Sequence, residues 1–189
     1  MITYRKTDES CLSVYDSIPM RLTVESEYRI EKIDRGLGGI SLTEMPVVPY
    51  VKEFDEGVLR WREVFNMQHW AFFMAFDAEQ PIAGLVMAAR TPNVHMLDGR
   101  DDLAVLWDIR VREEYKHQGI GQRLFDLGRE WARAEGFKQM KIECQNNNVP
   151  AVHFYHKQGA VLGAVNEYAY YGDPACERET QLIWYLDIL

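Results

Sequence analysis

The sequence predicts a mixed α/β fold, a central β-sheet of about six to seven strands flanked by helices in one domain over residues 1–189. Three observations carry this. Short apolar runs, read as strands, alternate with segments of helical spacing. Glycines at 119, 121, 136 and 159 stand at the junctions between them. A length of 189 residues, with 47% hydrophobic and 26% charged content, suffices for a sizeable core in a soluble protein.

In chain order, residues 1–21 read as a polar lead-in. "LTVESEYRIEKID" (22–34) reads as a strand or two, closed by the turn "RGLGG" (35–39). "EFDEGVLRWREVF" (53–65) has helical spacing at Val58, Trp61 and Phe65. "WAFFMAFD" and "PIAGLVMAAR" form a hairpin of buried strands. "LAVLWDIRV" (103–111) alternates, with Leu103, Val105, Trp107, Ile109 and Val111 on one face and Ala104, Leu106, Asp108 and Arg110 on the other. A glycine turn follows, then a helix whose stripe is Ile120, Leu124, Leu127 and Trp131, ended at Gly136. "FKQMKIEC" is the next strand, "NNNVPAVHFYHKQGA" a loop and short helix, and 161–172 and 179–189 are closing strands.

Composition narrows the function classes. A formal net charge of −8 makes a poor general nucleic-acid binder, because phosphate contacts need clustered Lys and Arg. It suits cationic small molecules, and also plain solubility. Cys11, Cys144 and Cys176 are odd in number and far apart, which argues for a reducing compartment and against a disulfide framework or zinc site. The N-terminus has no apolar signal core and no run reaches membrane-spanning length, so a cytoplasmic protein is expected. His153 and His156 lie at i, i+3 on the short helix, but no third ligand is in view and no metal is expected.

The stretch "KHQGIGQ" (116–122) is the most informative. A strand, two glycines and a helix start point several backbone N–H groups one way and let a ligand approach without a Cβ in the way. That is an anion site, suited to phosphate or pyrophosphate. The P-loop pattern GxxxxGK[ST] is absent, and Leu124 stands where a dinucleotide-binding GxGxxG needs its third glycine.

"VREEYKHQGIGQRLF" resembles the acetyl-CoA-binding segment of the GCN5-related N-acetyltransferase (GNAT) superfamily, Arg/Gln-x-x-Gly-x-Gly/Ala after the family's fourth strand. Gly119 and Gly121 match the glycines, and Lys116 takes the Arg/Gln place, keeping a cation without the bidentate fork. "NVPAVHFYHKQGA" resembles a second family segment through Asn148, Ala151, Tyr155 and Gly159. The resemblance covers roughly residues 70–189. It implies a sheet splayed between the family's fourth and fifth strands, with acetyl-CoA as cosubstrate. The backbone of Ile109, Arg110 and Val111 would pair with pantetheine, and Lys116, His117, Gln118, Gly119, Ile120, Gly121 and Gln122 would cradle the pyrophosphate, with Arg123 adding charge. Asn148, Ala151, Phe154 and Tyr155 complete the implied cofactor set.

Acetyl transfer to an amine needs three things: a deprotonated amine, a donor to the developing oxyanion and a proton for the leaving thiolate. The resemblance implies a backbone N–H near Ile109 as the donor and Tyr155 as the general acid. Asp108 and Glu143 are candidate bases, with a water chain as the alternative. Tyr168, Tyr170 or Tyr171 would flank the acceptor and offer cation–π contact.

Further stretches, among them "VESEYRIEKIDRGLGGI", "LWDIRV", "NEYAYYGDP" and "LIWYLDIL", are similar to the streptothricin acetyltransferases, a branch that inactivates an antibiotic by acetylating its β-lysine amine. The departures are Lys116 and His117, where Arg-Gly is commoner. This likeness implies streptothricin as the cationic acceptor, with Glu53, Asp55, Glu56, Asp108 and Glu143 as candidate cation partners. The alternatives are another amine (an aminoglycoside, a polyamine or a protein N-terminus) or a catalytically silent CoA-binding domain. A homodimer is compatible with the family.

Overall fold

The computed structural model describes residues 1–54 and 57–188; Asp55 and Glu56 lie outside the described residues. The elements are β1 (Ile2–Thr7), α1 (Leu12–Asp16), β2 (Arg21–Lys32), β3 (Ile40–Glu53), α2 (Trp61–Val64), β4 (Ala71–Asp77), β5 (Gln80–Ala89), β6 (Leu103–Val111), α3 (Ile120–Ala134), β7 (Gln139–Gln145), α4 (Val149–Lys157), β8 (Val161–Asn166) and β9 (Gln181–Asp187). Seven strands form one mixed sheet in the order β1-β4-β5-β6-β7-β9-β8, while β2 and β3 pair separately. The expected mixed α/β sheet is therefore present.

The chain divides into two compact units. One comprises Met1–Arg21, Phe54–Ile142 and the chain end from Tyr185; the other comprises Leu22–Glu53 and Glu143–Trp184. In the first, β1, β4, β5 and β6 run antiparallel, and β6 pairs parallel with the start of β7. β4 and β5 are buried on both faces, which is why they read as unbroken apolar runs. On one face α3 buries Ile120, Leu124, Phe125 and Trp131, and Gly136, at φ 81°, ends it as expected. On the other lie Leu12, Tyr15 and Ile18, all fully buried, with Trp61 and Trp70.

Two sequence readings change here. Residues 1–21 are not a lead-in but β1 and α1. Five residues of α1 are too few to show a helical period. The alternation of β6 is also broken. Its register with β5 slips between Asp108↔Val86 and Leu106↔Met87, so Trp107 is an extra residue in a β-bulge. The bulge inverts the pleat. Val105 and Trp107 pack with Trp61 and Trp70, and so does the next pair on the same face, Asp108 and Arg110, against Tyr15. Val111 points to the α3 face, where a Cβ on Gly121 would meet its Cγ2 at 3.7 Å.

In the second unit, β2 and β3 form a long hairpin whose turn holds Asp34, Arg35, Gly36 and Gly39 at positive φ. The sequence analysis assigns no strand at 40–53, a segment that holds Pro46 and Pro49. A two-stranded sheet leaves each strand an open edge, where a missing N–H is tolerated. β8 ends at Asn166, and residues 167–172 are turns rather than strand.

All three cysteines are free. Burial pushes the Cys11 thiol up to about 11 and that of Cys144 to about 12. Among the described residues no helix is long and apolar enough to cross a membrane, and no group of three His, Cys, Asp or Glu is placed to hold a metal.

Candidate active site

In the first unit the site is built on β6. Its ladder with β7 pairs Leu103–Leu106 with Gln139–Ile142, and β6 continues through the bulge to Val111 beyond it. An extended, amide-bearing ligand is held by strand backbone in this manner.

Asp108 and Arg110 follow the bulge, each 6% exposed. Asp108 Oδ1 accepts from the Tyr15 hydroxyl at 2.6 Å and from Arg110 Nε at 3.0 Å, and Arg110 Nη2 donates to Oδ2. Arg110 Nη1 also donates to the Ile18 carbonyl at 3.1 Å, and the guanidinium lies 4.8 Å over the Tyr15 ring. Burial first, then the Asp108 charge, holds the Tyr15 phenol well above its ordinary range. Tyr15 was not among the residues picked from the sequence. Its signal was Gly84 in the middle of β5: a Cβ there would meet Tyr15 Cε2 at 2.4 Å, so the strand needs glycine for the ring to lie on it.

The glycine turn lies between β6 and α3. His117 at φ 60° and Gly119 at φ 80° are both left-handed. A Cβ on Gly119 would meet nothing within 4 Å, so the space in front of the turn is open. The start of α3 has no side-chain cap and no acidic residue in its first turn. A helix start of this kind is one at which an anion can be held. Lys116 is tethered there, with Nζ donating to Glu113 Oε2 at 2.6 Å and to the Arg21 carbonyl at 3.0 Å. Arg123 pairs along the helix with Glu130 at 3.3 Å.

In the second unit, Asn148 is the N-cap of α4, its side chain accepting from Ala151 N–H at 3.3 Å. Tyr155, on the same helix, is 4% exposed, and its ring lies 5.6 Å from Phe154. Glu143 Oε1 accepts from the Tyr170 hydroxyl at 2.7 Å, and Gln145 Nε2 donates to that hydroxyl at 3.3 Å. Burial, then the Glu143 charge, raises the Tyr170 phenol above its ordinary range. Tyr168 and Tyr171 are exposed, whereas Tyr170 is joined to a candidate catalytic carboxylate. Glu53 is exposed at the end of β3. His153 Nε2 lies 3.1 Å from the Tyr28 hydroxyl and 3.2 Å from Glu44, so it ties α4 to the hairpin. Asn147, unremarked in the sequence, bridges the Tyr50 hydroxyl and Glu179, which pairs with Lys52.

The profile of the acetyltransferase (GNAT) family matches residues 41–160. A streptothricin acetyltransferase of Escherichia coli is 32% identical over 147 residues, 78% of this chain and 76% of that protein. A Bacillus anthracis str. Ames protein described as a streptothricin acetyltransferase, solved in complex with acetyl coenzyme A, superposes with a TM-score of 0.77 at 26% identity over 99% of each chain. The crystal structure of nourseothricin acetyltransferase reaches a TM-score of 0.79 over 100% of this chain and 99% of its own; at 22% identity it speaks for the fold alone.

Proposed function

Since this chain belongs to the acetyltransferase (GNAT) family and is an N-acetyltransferase that uses acetyl-CoA, we propose that its acceptor is the β-lysine amine of streptothricin. The likeness to the E. coli streptothricin acetyltransferase over most of the chain carries this choice. The net charge of −8 supports it, since an acidic protein attracts a polycation.

The thioester of acetyl-CoA supplies the activated acetyl group, and the chain's own residues do the rest. The turn from Lys116 through Gln122 holds the pyrophosphate: the open space at Gly119 and the uncapped start of α3 fit it. The backbone of Ile109, Arg110 and Val111, beyond the β6–β7 ladder, holds the pantetheine amides. The N–H near Ile109 donates to the acetyl oxygen as charge develops there. Asn148 sets the start of α4 and so the position of Ala151, Phe154 and Tyr155 along it. Tyr155 protonates the leaving thiolate. Glu143 accepts the amine proton, directly or through water, and Tyr170 fixes its carboxylate. Asp108, with both oxygens engaged, is a positioning residue that locks Arg110 and the strand after the bulge.

The experiment is mass spectrometry of streptothricin incubated with protein and acetyl-CoA, with free thiol followed in parallel. The expected result is one added acetyl group on the β-lysine amine and an equal amount of CoA released. Acetyl-CoA binding without modification of streptothricin would overturn the choice of acceptor and leave the cofactor site standing.

A further inference from the structure

Glu143 and Gln145 stand two residues apart at the end of β7, both partly exposed, while Ile142, Cys144 and Asn146 are buried. The pleat brings the two side chains to one face of the strand. Tyr170, in the same unit, meets both. Its hydroxyl donates to Glu143 Oε1 at 2.7 Å and lies 3.3 Å from Gln145 Nε2. A phenol has one hydrogen to give. Given to Glu143 in the shorter bond, it leaves only lone pairs for Gln145, so the amide must donate. Gln145 thus fills the acceptor side of the phenol and leaves the hydroxyl proton with its carboxylate.

That direction is not automatic, because a second carboxylate is near. Burial first, then Glu143 and more weakly Glu179, raises the Tyr170 phenol above its ordinary range. Glu179 has donors of its own. Lys52 Nζ donates to both its oxygens, at 2.6 Å to Oε1, and Asn147 Nδ2 donates to Oε1 at 3.0 Å. The phenol is therefore left to Glu143. Glu143 Oε2 receives no hydrogen bond from any of the described residues. The carboxylate is held by one oxygen and open at the other, and the open oxygen is where an amine proton can go.

We propose that Gln145 is a positioning residue for the reaction: it fixes the direction of the Tyr170 hydroxyl, and through it holds Glu143 by one oxygen with the other kept for the proton of the amine. This rests on the reading of Glu143 as the base and deepens it.

The test is steady-state kinetics of the wild type, Gln145→Met, Gln145→Glu, Tyr170→Phe, the double variant of Gln145→Met with Tyr170→Phe, and Glu143→Gln. Turnover is read from CoA release, and denaturation midpoints are measured alongside. Streptothricin is the acceptor, with spermidine in its place if streptothricin is not modified. Methionine keeps the length and removes the donor; glutamate keeps the shape and accepts where glutamine donated. In Gln145→Met kcat should fall roughly 2- to 10-fold, the scale of one hydrogen bond, and in Gln145→Glu at least as far. The KM for acetyl-CoA and the midpoint should stay near wild type. The double variant should lose no more than Tyr170→Phe alone, since a residue that acts through the phenol then has nothing to direct. Additive losses, or a wild-type kcat in either Gln145 variant, would overturn the proposal and leave Glu143 as the base as long as Glu143→Gln is slow. Glu143→Gln at the wild-type rate would overturn the reading of the base, and this proposal with it.

Discussion

Asp108 and Glu143, one carboxylate in each unit, stand in opposite surroundings. Asp108 is buried, and both its oxygens accept from Tyr15 or Arg110. Taking a proton there would break a buried ion pair whose two side chains are 4% and 3% exposed. Glu143 is half-buried and accepts from one phenol, Tyr170. Tyr170 orients the Glu143 carboxylate without neutralising it. The difference bears on the proposed roles: a partner that brings a positive charge suits a carboxylate to be an anchor, and a neutral donor suits it to be an oriented base.

The largest effect should come from breaking the anchor. Asp108→Asn leaves Arg110 buried without its counter-charge and should cost about 3–5 kcal/mol of stability, read by urea denaturation. A variant of normal stability that has lost turnover would reverse the assignment and make Asp108 the base. Next in size is Glu143→Gln, which keeps an acceptor for Tyr170 but removes the base. Its kcat/KM should fall roughly 100-fold or more at neutral pH, with a denaturation midpoint near wild type. An unchanged rate would hand the proton to water and leave Glu143 as a mere neighbour.

The smallest effect concerns pH. Tyr170 and Tyr15 hold their protons to higher pH than a free phenol. An unfolded chain releases them near pH 10. Their contribution to stability is therefore complete below about pH 10 and is lost as pH rises beyond it. Tyr170→Phe should make the fall of the thermal midpoint above about pH 10 shallower, with the share of Tyr15 remaining. The same slope in the variant would show that Glu143 and burial do not hold that proton.

Much of the fold was legible because its signals are local. The buried stripe of α3, its end at Gly136 and the open turn at Gly119 are all written within a few residues. What was missed depends on distance or on a single residue. Tyr15 and Asp108 are 93 positions apart, and no local pattern joins them. The bulge at Trp107 leaves no mark in composition, so strict alternation placed Asp108 and Trp107 on opposite faces when they share one. β3 carries Pro46 and Pro49, which weaken the signal of a strand but are tolerated where one of its edges is open. The Glu143–Tyr170 bond depends on turns at 167–172 that the sequence reading took for strand.

The extra residue in β6 also bears on how such an enzyme can change over time. Trp107 has no partner on β5, so replacing its side chain leaves the register of its neighbours as it was. Deleting it would restore simple alternation and turn the segment that precedes the glycine loop, or the one that follows β5, through half a turn. The strand is thus open to substitution and closed to shortening at the same point. The side chain at 107 can change one replacement at a time while the backbone on either side keeps its register.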